Sequence, residues 1–143
     1  MTSFEHAARG RLAGWLRWPG RVLAAVAVLL LGPVVSIAIG QVDLSSHWSS
    51  ASRASAGLAP DPAREPGAVI QVYSARAHSW RGAFGVHTWI AAKRSGASAY
   101  TVYQVIGWRL YRGGSAVSVS EGATPDGRWF GALPSVLAQR RGA

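Results

Sequence analysis

The chain contains no cysteine among its 143 residues. That excludes disulfides, thiolate metal sites and a cysteine nucleophile within it. Carboxylates are also scarce, six against fifteen Lys and Arg. Past residue 67 only Glu121 and Asp126 remain, a poor supply for hydrolysis by paired acids. A metal site needs three or four converging ligands. The only outward set is His78 and His87 with Asp126 or Glu121, and its spacing matches no metal motif. No G-x-S-x-G elbow and no phosphate-binding glycine loop occur, so nothing in the chain implies a serine hydrolase, a nucleotide or another cofactor.

Charge is missing altogether from residues 22–40, a run that opens on Val22 and closes on Gly40. An α-helix rises about 1.5 Å per residue, so about 20 apolar residues span a bilayer core. Buried helices of globular domains carry a polar face, and this run has none. The reading is a single transmembrane helix. Arg9, Arg11, Arg17 and Arg21 precede it, and the first cation after it is Arg53. The positive-inside rule places the leader in the cytoplasm and the remainder outside the inner membrane. Trp15 and Trp18 lie where indole rings favour the headgroup zone. A cleavable signal peptide is the rival reading, because Ala38-Ile39-Gly40 offers small residues before Gln41. Both readings export the C-terminal part of the chain. Gly32, Ser36 and Gly40 recur every four residues, a spacing that lets two membrane helices approach as a homodimer. Pro33 between them removes one helical donor and predicts a kink.

These patterns divide the chain into four segments: a basic leader over 1–21, the membrane helix over 22–40, a linker over 41–67 and a domain over 68–143. The linker is dominated by Ser, Ala, Pro and Gly, with no sustained apolar period, and is expected to be a tether. The net charge of +9 divides as +3 in the leader, −1 in the linker and +7 in the domain. The basic domain suits anionic partners, either lipid headgroups or an anionic envelope polymer. Nucleic acid is disfavoured by the outward placement.

The domain predicts a small antiparallel β-meander, making the protein α+β overall. Expected strands cover 68–76, 86–93, 100–110 and 116–120, and a short helix is expected over 134–140, with Pro134 in its first turn. Gly96 sits in the hairpin connection after the second strand, where positive φ is wanted. The first three strands are apolar on both faces, so both faces want cover. One helix of about seven residues cannot supply it. The expectation is that a membrane, a partner or a longer version of the chain does.

The elements Gln71-Val72-Tyr73, Trp80-Arg81-Gly82, Val86-His87-Thr88-Trp89-Ile90, Val105-Ile106-Gly107-Trp108 and Arg128-Trp129-Phe130-Gly131, with Tyr103 between them, carry a resemblance. In order and spacing the chain resembles the bacterial family known as domain of unknown function 3750. The resemblance implies an N-terminal membrane helix. It also implies a further C-terminal segment with a Trp-Pro-Gly-Pro-Asn-Ser-Asn-Thr-Phe-like motif, which this chain lacks. It implies no established activity.

Two functional readings stay open. His87, inside an apolar strand, needs a hydrogen-bond partner and could serve as a base. The layout loosely resembles permuted papain-like amidases and acyltransferases, here without the cysteine. The favoured reading is a membrane-anchored envelope protein that binds rather than catalyses. Trp80, Trp89, Trp108 and Trp129, interleaved with Arg81, Arg109 and Arg128, would stack on sugars and grip anionic polymers. The plain alternative is that these aromatics fill a small core.

Overall fold

The computed structural model describes the backbone of residues 3–45 and 47–142 and the side chains of 18–45 and 47–142. The side chains of Arg9, Arg11, Trp15 and Arg17 in the leader lie outside the described residues. Two units make up the chain, Met1–Ile39 and Gly40–Ala143.

The first unit is one helix, α1, Ser3–Ala38. Leader and apolar run are therefore continuous, and α1 passes through both Pro19 and Pro33 without being divided. Within it Trp18–Ala38 is 21 residues long with a mean hydropathy of 2.3, long and apolar enough to cross a membrane. At about 1.5 Å per residue it reaches about 31 Å, against a hydrocarbon core of about 30 Å. Gly40 lies past the end of α1 with φ of +72°, the left-handed conformation that terminates helices. It therefore does not extend the helical spacing of Gly32 and Ser36.

The second unit is a five-stranded antiparallel sheet. Its strands are β1 Val69–Arg76, β2 Val86–Lys93, β3 Thr101–Val105, β4 Val117–Glu121 and β5 Ser135–Arg141. They lie in the order β4-β3-β2-β1-β5. Four of the five were expected. β3 is shorter than predicted, because the chain turns at Gly107 into a 3-10 helix over Gly107–Arg112. The expected C-terminal helix is instead β5, paired with β1 from Val69↔Arg141 to Ser74↔Ser135 through a bulge at Val72/Tyr73. Leu137, Ala138 and Gln139 favour a helix, but seven residues are too few to hold one without packing. The open edge of β1 offered a row of unpaired N–H and C=O groups, and satisfying them decided the outcome.

The register defines two faces. Val69, Gln71, Tyr73 and Ala75 of β1 lie on one face with His87, Trp89, Ala91 and Lys93 of β2 and with Val102 and Gln104 of β3. This inner face is buried. Its cover comes from the stretch expected to be a tether. Arg128 N–H donates to the Ala54 carbonyl, Gly131 N–H to that of Ser52, and the Tyr100 hydroxyl to that of Pro60 at 3.0 Å. Asp126, 1 % exposed, accepts from the Ser55 hydroxyl at 2.7 Å and from the N–H groups of Leu58 and Ala59 at 2.6 and 3.2 Å. Burial raises the Asp126 pKa, but those three bonds outweigh it and hold the carboxyl below its ordinary value. Residues 52–67 are thus a strap across the sheet. The buried Lys93 ammonium donates to the carbonyls of Gly67 and Arg94 at 2.8 and 3.2 Å, closing the strap's far end.

Candidate functional site

At the Arg76 end of β1 the chain turns through a 3-10 helix over Ser79–Ala83 and returns as β2. Gly82 permits this tight turn, since a Cβ there would collide with the Ala77 carbonyl. His78 precedes the turn and His87 is the second residue of β2. Opposite them, Trp129 and Ala132 pair across a two-residue hairpin loop of Phe130 and Gly131. Both loop residues have positive φ, 46° and 90°, as a type I′ turn requires. For Phe130 that conformation is costly. The turn holds its half-buried ring beside Trp129.

These elements enclose a cleft of about 770 Å³. Its aromatic lining is Trp48, Trp108, Trp129 and Phe130, with His78 and His87 beside them. Arg53, Arg81 and Arg112 complete the polar part, and among the described residues no carboxylate, hydroxyl or thiol side chain lines it. The His87 ring stacks on Trp129 with centroids 3.5 Å apart and planes 14° apart. Trp129 meets Phe130 edge-on at 5.0 Å, and Trp108 lies 6.0 Å from Trp129. The Arg53 guanidinium sits 4.2 Å above the Phe130 ring. That is cation–π distance, and it aims the charge along the cleft wall.

His87 Nε2 lies 3.1 Å from the Gln104 side-chain oxygen. With that oxygen as acceptor, Nε2 carries the hydrogen and Nδ1 is the free acceptor. Burial lowers the His87 pKa, only partly offset by the Gln104 bond, so the ring is neutral at neutral pH. His78 packs on Phe130 at 5.3 Å, and its buried Nδ1 has no hydrogen-bond partner among the described residues. Ser79, next to it, has φ of +57°. An unsatisfied polar atom and the strained Phe130 thus line one cleft, with strained Ser79 next to His78 in the chain, a pattern typical of ligand sites.

The sequence candidates divide. His87, Arg81, Trp108 and Trp129 come together in the cleft. Trp89 does not line it. It is buried under His87, stacks on Tyr73 at 5.5 Å and donates its indole N–H to the Pro125 carbonyl at 2.7 Å. Trp80 is exposed outside the cleft, edge-on to Phe84 and under Arg81. Asp126 is sequestered by the strap and Glu121 ends β4 on the opposite face, so neither joins the two histidines. Sequence reasoning missed His78 as a wall residue, along with Trp48, Arg53, Arg112 and Phe130. The Phe130-Gly131 turn was the one local signal. Trp48 and Arg53 had none, because they arrive only when the segment before β1 folds back over the sheet.

The family model described as "Protein of unknown function (DUF3750)" matches residues 67–143, which include all five strands. The chain belongs to the DUF3750 family. Comparison with curated proteins and with solved structures returns no match. The DUF3750 region supplies most of the cleft, from Ala77 to Phe130, while Trp48 and Arg53 are added from the segment before it.

Proposed function

We propose that the DUF3750 domain is the outward-facing, ligand-binding part of a single-pass membrane protein of the cell envelope. Four arginines before the apolar stretch and none between it and Arg53 favour a cytoplasmic leader. The ligand is an anionic envelope polymer, a glycan bearing carboxylate or phosphate groups. The observation that carries this is the lining of the cleft, where three arginines and two histidines border an aromatic floor with no carboxylate among the described residues. Guanidinium groups pair with carboxylate and phosphate in bidentate fashion, and ring faces accept the apolar faces of sugars. Binding rather than catalysis is favoured because His87 is neutral, stacked on Trp129 and held by Gln104, with no nucleophile lining the same cleft among the described residues.

C-terminal alkaline phosphatase and green fluorescent fusions test the orientation, with phosphatase activity expected and a fluorescent, phosphatase-inactive pair contradicting it. For the ligand, the full chain in nanodiscs is titrated with a polyuronate and with neutral dextran. Polyuronate binding should weaken with salt and fall at least about tenfold in the Arg53→Gln/Arg81→Gln/Arg112→Gln variant. Equal affinity for dextran, or an unaffected triple variant, would overturn the assignment.

A further inference from the structure

The outer face of the sheet is apolar and open. Ile70, Ile90, Tyr103, Val105, Val117 and Val119 lie on it, each 42–64 % exposed. Within the second unit no described helix or strand packs across it. Five strands about 4.8 Å apart and about 16–26 Å long give about 500 Å² of projected area. A pair of such faces buries about 1,000 Å² or more, the lower bound of specific interfaces.

Charge is confined to the margin of this face, and its placement is informative. The register joins Glu121↔Thr101, Thr101↔Ala92, Ala92↔Ile70 and Ile70↔Arg140 into one row across all five strands. Paired residues share a face, so Glu121 and Arg140 stand at the two ends of this row, one on each sheet edge. Neither forms a salt bridge among the described residues. The neighbouring Arg141 points to the inner face and binds Glu65 at 3.0 Å.

We infer that this face is a homodimer interface, with the two-fold axis lying in the interface parallel to β2. Sheets pack face to face about 10 Å apart with strand directions within about 30°. Rotation about this axis lays β4 of one copy over β5 of the other and leaves height along the strands unchanged. Glu121 of each copy then faces Arg140 of its mate, so one row of one sequence makes two complementary ion pairs. The self-complementarity is what an isologous interface demands. The same operation leaves both copies of Gln41, hydrogen-bonded to Arg76 at 2.8 Å, at the same end of the dimer. The segments that lead to the two α1 helices thus leave the dimer from one end, as anchoring in a single bilayer requires.

The test is a charge swap in the full chain, followed by analytical ultracentrifugation in detergent. Glu121→Arg and Arg140→Glu should each raise the dimer dissociation constant at least tenfold, by setting like charges face to face, and the double swap should restore it. Both side chains are exposed, so folding is not at stake. Ile90→Cys, on the central strand, should cross-link to its own copy through a short bismaleimide, whereas Ser115→Cys, beside the edge strand β4 and carried to the opposite edge by the rotation, should not. A monomer at all concentrations would overturn the inference. So would a dimer indifferent to both swaps, as association through α1 would give, or an Ile90→Cys cross-link only to lipid or to a different protein.

Discussion

Removing the Asp126 carboxylate should unfasten the strap. Its two oxygens accept from Ser55, Leu58 and Ala59 in a site that is 1 % exposed. In Asp126→Ala the Ser55 hydroxyl can turn to water, but two backbone N–H groups lose their partner. Each buried donor left unsatisfied costs about 1–3 kcal/mol, and some is returned because no charge need be buried. The expected net loss is about 2–4 kcal/mol, a fall of about 10 °C or more in Tm for a unit of this size. Asp126→Asn should lose about half as much, since its amide oxygen still accepts both N–H groups while its NH2 donates to Ser55. The pH dependence has a definite sign. The folded pKa is depressed, so the stabilisation is complete above the unfolded pKa near 3.8 and is lost as pH falls through the folded value. Wild type and Asp126→Asn should therefore converge in acid. The assay is urea unfolding of the full chain in micelles by tryptophan fluorescence, with trypsin cleavage at Arg53 and Arg64 as a local probe of the strap. A loss below about 1 kcal/mol in Asp126→Ala, or an undiminished gap to Asp126→Asn at pH 2, would refute the reasoning.

Other contacts set their own outcomes. Lys93→Met should cost about 1–3 kcal/mol in urea titration, because the carbonyls of Gly67 and Arg94 lose their donor. His87 should titrate by NMR below the ordinary histidine value. Its lowered pKa makes its contribution complete above about pH 6.5 and lost as pH falls towards the folded value, a dependence that His87→Gln should remove. Gly82→Ala should destabilise by about 1–3 kcal/mol or more, read as a Tm shift, since its Cβ meets the Ala77 carbonyl. Trp129→Ala should lower stability by about 3–5 kcal/mol and abolish polyuronate binding, whereas Trp129→Phe should retain part of both.

Much of the architecture was legible because it rests on local patterns. The uncharged run marked α1, and alternation marked β2 to the residue at Val86 and Lys93. β5 was not legible, because its residues favour a helix locally and its partner β1 lies more than sixty residues away. The strap was hidden for a related reason. Its Ser, Ala and Pro composition is that of a linker, and it is held by backbone groups that meet Asp126 rather than by an apolar pattern. For the site, His87, Arg81, Trp108 and Trp129 were candidates by residue type, but type could not separate Trp129 in the cleft from Trp89 beneath it.

Hydropathy, alternation and motif order are properties of neighbours along the chain, so residue order alone carried the helix long enough for a bilayer, the antiparallel order of β1 to β4 and membership of the DUF3750 family. Which face of the sheet is covered, what covers it, and which arginines and rings share a cleft were settled in three dimensions. Those depend on groups far apart in the chain satisfying one another's hydrogen bonds, the strap on Asp126 and β5 on the edge of β1, and no local period records such meetings.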